Sequence, residues 1–182
     1  MTQVTSPEEL FVHELQDMYY AENALTKVLP QLAREASDSE LSRAFTRHLK
    51  ETEKQIENLE RVFRDLGETP QAHPCPGIEG IKKEHDDFVQ ETKASGQVLD
   101  MFLTGAAART EHYEIAAYTG LVSKARALKR RDAVELLQEN LRQEKETLKN
   151  VESISKRMLK EASNGPSTAG RRSRAGSRRS PR

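Results

Sequence analysis

Apolar residues along this chain recur at steps of three and four, the spacing that places them on one stripe of a helix. Phe11, Leu15, Met18, Leu25, Leu29 and Leu32 form the first series, and Leu41, Phe45, Leu59, Val62 and Leu66 the second. Leu103, Ala107, Tyr118, Leu121 and Ala125 form the third. Val134, Leu137, Leu141, Leu148, Val151 and Met158 form the fourth. No run of alternating β-branched residues reads as a sheet. Ser6-Pro7-Glu8-Glu9 has the form of a helix start, with Ser6 as cap and Glu9 reaching back. Pro30 should kink the first helix near its end. Ser37-Asp38-Ser39-Glu40 starts the second helix, and Gly67 is a good stop for it. The third long helix is expected from about Gln97 to Ala127, and the fourth from about Arg130 to Glu161.

The turns between the first and second helices, and between the third and fourth, are short, which makes each pair antiparallel. Between the second and third lie about thirty residues, rich in breakers from Glu68 to Gly77 and then helical from Ile78 to about Lys93. Such a connection can cross a bundle roughly 45 Å long. One long crossover of this kind is the ferritin-like topology. The fold class is therefore all-α: a ferritin-like four-helix bundle over residues 1–162, with a short extra helix in the crossover. A disordered basic tail is expected over 163–182.

Each stripe is interrupted by polar residues. Glu22 replaces an apolar residue on the first helix, His48 and Glu51 mark the second, Glu111 and Glu114 the third, and Glu144 the fourth. Glu22 and Glu51 each lie about 20–24 Å from the first turn, and Glu114 and Glu144 about 21–24 Å from the last. All four helices thus bring their polar residues to mid-bundle. Buried carboxylates at one level repel unless protonated or neutralised. Two divalent or trivalent cations are the simplest neutralising partner, and oxygen ligands with an imidazole suit iron, with manganese as the other choice. Glu22, Glu51, Glu114 and Glu144 are expected as direct ligands, joined by Glu111 and His48. Thr52, Gln55, Tyr20 and Tyr118 are expected as their hydrogen-bond partners or as packing. His13, Asp17 and His112 fall beside the stripes, and His73 and His85 are expected to be exposed.

Four segments, taken in order, carry a resemblance. Leu15-Gln-Asp17-Met-Tyr-Tyr-Ala-Glu22, His48-Leu-Lys-Glu51-Thr-Glu-Lys-Gln55, Glu111-His-Tyr-Glu114-Ile-Ala-Ala-Tyr118 and Glu144-Lys together resemble the YciE/YciF ferritin-like family of bacterial proteins. The resemblance spans roughly Pro7 to Ala162. It implies a di-iron centre, a homodimer and a link to stress responses. The common di-iron pattern has a Glu on each of two helices and Glu-x-x-His on the other two. Here the second helix has the reverse order, His48-x-x-Glu51, and Thr147 stands three residues after Glu144. The expected site is carboxylate-rich, with at most one histidine.

Composition narrows the functional classes. The 182 residues carry 29 basic and 29 acidic groups, but six arginines and no acid lie after Ala162, so the body is acidic and the tail basic. The tail lacks aromatic residues to stack on bases, so any nucleic-acid contact through it should be weak and salt-sensitive. No stretch approaches a membrane span, and no Gly-rich phosphate loop or nucleophile elbow is present. The N-terminus does not read as a signal peptide, and the single Cys75 cannot form an internal disulfide, so a cytoplasmic location is expected. Two functions fit. One is a di-metal oxidase, ferroxidase or peroxidase using dioxygen or peroxide under stress. The other is a non-catalytic, DNA-associated stress protein acting through its tail.

Overall fold

A computed structural model describes residues 4–94 and 96–164. The expected tail, from residue 165 onward, lies outside the described residues. Five helices run in order: α1 (Pro7–Glu35), α2 (Ser39–Asp65), α3 (Pro76–Glu91), α4 (Gly96–Ala127) and α5 (Arg131–Asn164). The capping box at Ser6 and Glu9 forms in full. α1 continues through Pro30 without ending there. α2 ends at Asp65, and Gly67 just beyond it has a φ of 76°, open to glycine at little steric cost. α5 runs through Ser163 and Asn164.

Cross-helix contacts fix the topology. Glu14 pairs with Lys124 at 2.7 Å, Tyr118 donates to Glu22, and Ser37 N–H donates to Asp100 at 2.8 Å. α4 is therefore antiparallel to α1. Asn58 donates to Asn140 at 2.8 Å, and Arg157 donates to Asp38 at 2.9 Å, so α5 is antiparallel to α2. Hence α2 and α4 are parallel and diagonal. The chain must travel the length of the bundle between them, and α3 carries it there. This is the four-helix bundle with one long crossover that defines ferritin-like topology.

Residues of α3 and its lead-in lie against α1 and α4. Phe88 stacks on Phe102 with centroids 3.7 Å apart. His85, expected to be exposed, is 6% exposed and lies 2.8 Å from Glu35. Cys75 is also buried, its sulfur 2.8 Å from the Tyr113 hydroxyl. A Cβ on Gly77 would come within 2.6 Å of the Tyr113 ring, so glycine permits that close approach.

Asp100 closes the turn between α1 and α2. Its carboxylate is buried and accepts from Ser37 N, Ser37 Oγ and Asp38 N. Asp100→Ala would orphan three donors, and should cost about 2–3 kcal/mol in denaturant unfolding. An unchanged midpoint would show that water replaces the carboxylate without loss.

Candidate metal centre

The bundle core consists of two apolar clusters. One, near the α1–α2 turn, includes Leu25, Leu29, Leu41, Phe45, Leu103 and Ile154. The other includes Phe11, Leu15, Leu59, Phe63, Leu121 and Leu137. Between them lies a polar layer: Glu22, His48, Thr52, Gln55, Glu111, Glu114 and Glu144, all buried.

Each helix delivers its residues through its own register. α1, α2 and α4 bury their stripes as the spacing predicts, with one exception: Leu66, at the end of α2, is half-buried. On α5, Leu137, Val151 and Met158 are buried as expected, but the buried face is turned slightly from the predicted one and Val134 is only half-buried. Leu141 and Leu148 are half-buried, while Asn140 and Thr147 face inward beside Glu144. The steps Leu137, Asn140, Glu144, Thr147, Val151 and Ile154 still keep the three-four spacing, which is why the apolar pattern alone misplaced them. The signal was present, because Asn140 is four residues before Glu144 and Asn58 three after Gln55 on the same buried faces.

His48, Glu111, Glu114 and Glu144 each place one ligand atom within 4.8 Å of the others. His48 Nε2 is 3.3 Å from Glu111 Oε1. Glu22 is fully buried on the α1 side. One of its oxygens accepts from Tyr118, whose hydroxyl in turn accepts from Asn140 at 3.0 Å. Glu51 sits at the rim. Its side chain is 30% exposed, lies 3.6 Å from His48 Nδ1, and accepts from Thr147 at 3.3 Å. Gln55 donates to one oxygen of Glu144 and orients it. Tyr20 points elsewhere, to Glu79 on α3.

Burial pushes the carboxyls of Glu22 and Glu114 well above the usual range, and the nearby Glu144 adds to the effect. Burial does the same to Glu111, with Glu144 again adding to it. Glu51 moves the other way, because the His48 ring beside it favours its charged form. Both oxygens of Glu114, one oxygen each of Glu22, Glu111 and Glu144, and both nitrogens of His48 lack a hydrogen-bond partner among the described residues. Buried polar atoms are costly in that condition. A cation satisfies several of them at once, and carboxylates with one imidazole suit iron or manganese. The donor set therefore fits a metal, and His48, Glu111, Glu114 and Glu144 could hold one.

Fold and site together define a ferritin-like helical bundle with a carboxylate-rich centre between its halves. A family model described as a domain of unknown function, DUF892, matches residues 6–164, and the chain belongs to that family. Protein YciF of Escherichia coli K12 is 40% identical over 141 residues, covering 77% of this chain and 84% of that protein. The crystal structure of the E. coli stress protein YciF superposes with a TM-score of 0.82 at 36% identity, covering 86% of this chain and 99% of that one. YcfI of Rhodopseudomonas palustris gives a TM-score of 0.81 at 40% identity, covering 83% of this chain and 96% of that one. The chain is thus a YciF-like relative of a bacterial stress protein. No described helix is long and apolar enough to cross a membrane.

Proposed function

We propose that this protein is a di-metal carboxylate protein, with iron as the metal, acting on dioxygen or peroxide under stress. The carrying observation is the set of buried, unpartnered oxygens centred on Glu114, alongside the unpartnered His48 ring. In this reading Glu22, Glu51, Glu111, Glu114, Glu144 and His48 hold a pair of ions. Iron bound there supplies one-electron exchange with a small oxidant. Gln55 and Tyr118 hold Glu144 and Glu22 in place, since such supporting hydrogen bonds set the orientation of ligands. The apolar clusters on either side exclude bulk water from the layer. A cavity of about 30 Å³, lined by Leu29, Phe45, His48, Glu51, Glu111 and Thr147 among others, adjoins the layer. That exceeds the roughly 10–15 Å³ one water needs on the same measure, so a molecule as small as dioxygen or peroxide can enter it.

The test is to load the untagged protein with Fe(II) without air, measure retained iron by plasma mass spectrometry, then add dioxygen or peroxide. A pair of irons per chain and oxidation faster than that of free Fe(II) are expected. No retained iron would sink the reading. That His48, Glu111, Glu114 and Glu144 come from three different helices favours a second reading, in which the cation only fastens the helices. Retained metal that raises stability but is oxidised no faster than free Fe(II) would select it.

A further inference from the structure

Away from the polar layer, His13 and Asp17 of α1 meet His73 of the loop leading into the crossover. His73 Nδ1 donates to Asp17 Oδ1 at 3.0 Å, and His13 Nε2 lies 3.9 Å from Asp17 Oδ2. The two imidazole rings are tilted, with centroids 5.0 Å apart. One ligand atom from each residue lies within 4.8 Å of the other two.

We propose that His13, Asp17 and His73 form a second metal site, specific for a divalent transition ion of the zinc class. The register supplies two of the ligands, because positions four apart share one helix face. The third is brought by the backbone, since His73 N–H donates to Gln16 O at 3.2 Å and holds the loop against α1. Two imidazoles and one carboxylate, with a fourth position open, is a zinc-type donor set, whereas the buried centre is carboxylate-rich. His13 and His73 line a cleft of about 690 Å³ whose fixed charges are Glu8, Glu9, Glu68 and Arg130, a net negative set that favours a cation. Asp17 has no lysine or arginine partner among the described residues; its ion-pair neighbours are the two histidines. The metal replaces the proton between His73 and Asp17, and ties the start of the crossover to α1 at the end of the bundle where α2 stops.

The probe is Zn(II) alone, titrated calorimetrically into the untagged full chain and into two variants. H13A plus H73A should lose one zinc equivalent, while E114Q plus E144Q should keep it. Cu(II) at the same site should show paramagnetic coupling to two imidazole nitrogens, which the buried centre with its one histidine does not supply. Three results would overturn the proposal: no zinc binding by the unaltered chain, full binding by the double-histidine variant, or loss of all zinc from E114Q plus E144Q. The first two would leave the trio as a hydrogen-bonded clamp only. Both histidines are on the surface, so their replacement should leave the bundle folded, as circular dichroism will show.

Discussion

Replacing Glu114 and Glu144 together by glutamine should abolish iron retention and leave a metal-free bundle at least as stable as the original. Glutamine keeps the side-chain volume, so no cavity opens. It still presents an oxygen to Gln55, which donates to Glu144. What it removes is charge: Glu144 acts on Glu22, Glu111 and Glu114, and Glu114 has no partner for either oxygen. Relief of that repulsion favours the folded metal-free state. The same change deletes two anionic ligands, so the metal-loaded state loses its stabilisation. At a hundredfold excess of metal over the dissociation constant that stabilisation is about 2.7 kcal/mol. For a chain of this length it corresponds to a midpoint shift of roughly 5–10 °C. Iron content and melting curves with and without Fe(II) check both halves. A variant that still gains thermal stability from Fe(II) would show that the metal sits elsewhere.

The metal-free protein should lose stability as pH rises above the ordinary glutamate range, and metal should remove that dependence. Glu22, Glu111 and Glu114 are buried and held well above the usual carboxyl value, which in the unfolded chain is about 4.3. Between the unfolded and folded values the native state binds more protons than the unfolded state, so unfolding free energy falls with pH. The contribution is complete below the unfolded value and lost as pH passes through the folded ones. Glu51 works in the opposite direction: its value is lowered, so its contribution is present above the unfolded value and lost on acidification. Three deeply buried groups outweigh one at the rim. Metal displaces the protons, so loading should release them and flatten the curve. Urea midpoints from about pH 5 to 8, with and without Fe(II), provide the test. A metal-free midpoint that rises with pH would contradict the assigned environment of the layer.

Much of the centre could be read from particular residues. Glu22, Glu111, Glu114 and Glu144 stand on helical stripes where apolar residues belong, and the structure buries all four. His48, three residues after Phe45, is buried as its position implies. Glu51 shows the limit of that reasoning. It follows His48 by three residues, yet Thr52 takes the next place on the buried face and leaves Glu51 at its edge, half-buried against Thr147. Asn58 and Asn140 were not singled out, because an asparagine on a stripe looks like an edge position until a partner on the facing helix is known. Their mutual hydrogen bond spans 82 residues of sequence, and spacing within one helix carries no information about it.

The sequence by itself determined the helices, their caps, the antiparallel pairs, the long crossover and the depth of the carboxylates. Those follow from local rules: residues per turn, rise per residue, and the residue types that start or stop a helix. Only the tertiary structure decided the rotation of α5, which turns Asn140 and Thr147 inward and Leu141 and Leu148 partly outward. It also decided the burial of His85 and Cys75, and the meeting of His73 with His13 and Asp17. Each depends on how one element packs against another far away in sequence. That choice is set by side-chain fit at the shared surface, where a small rotation keeps the periodicity and changes which atoms meet.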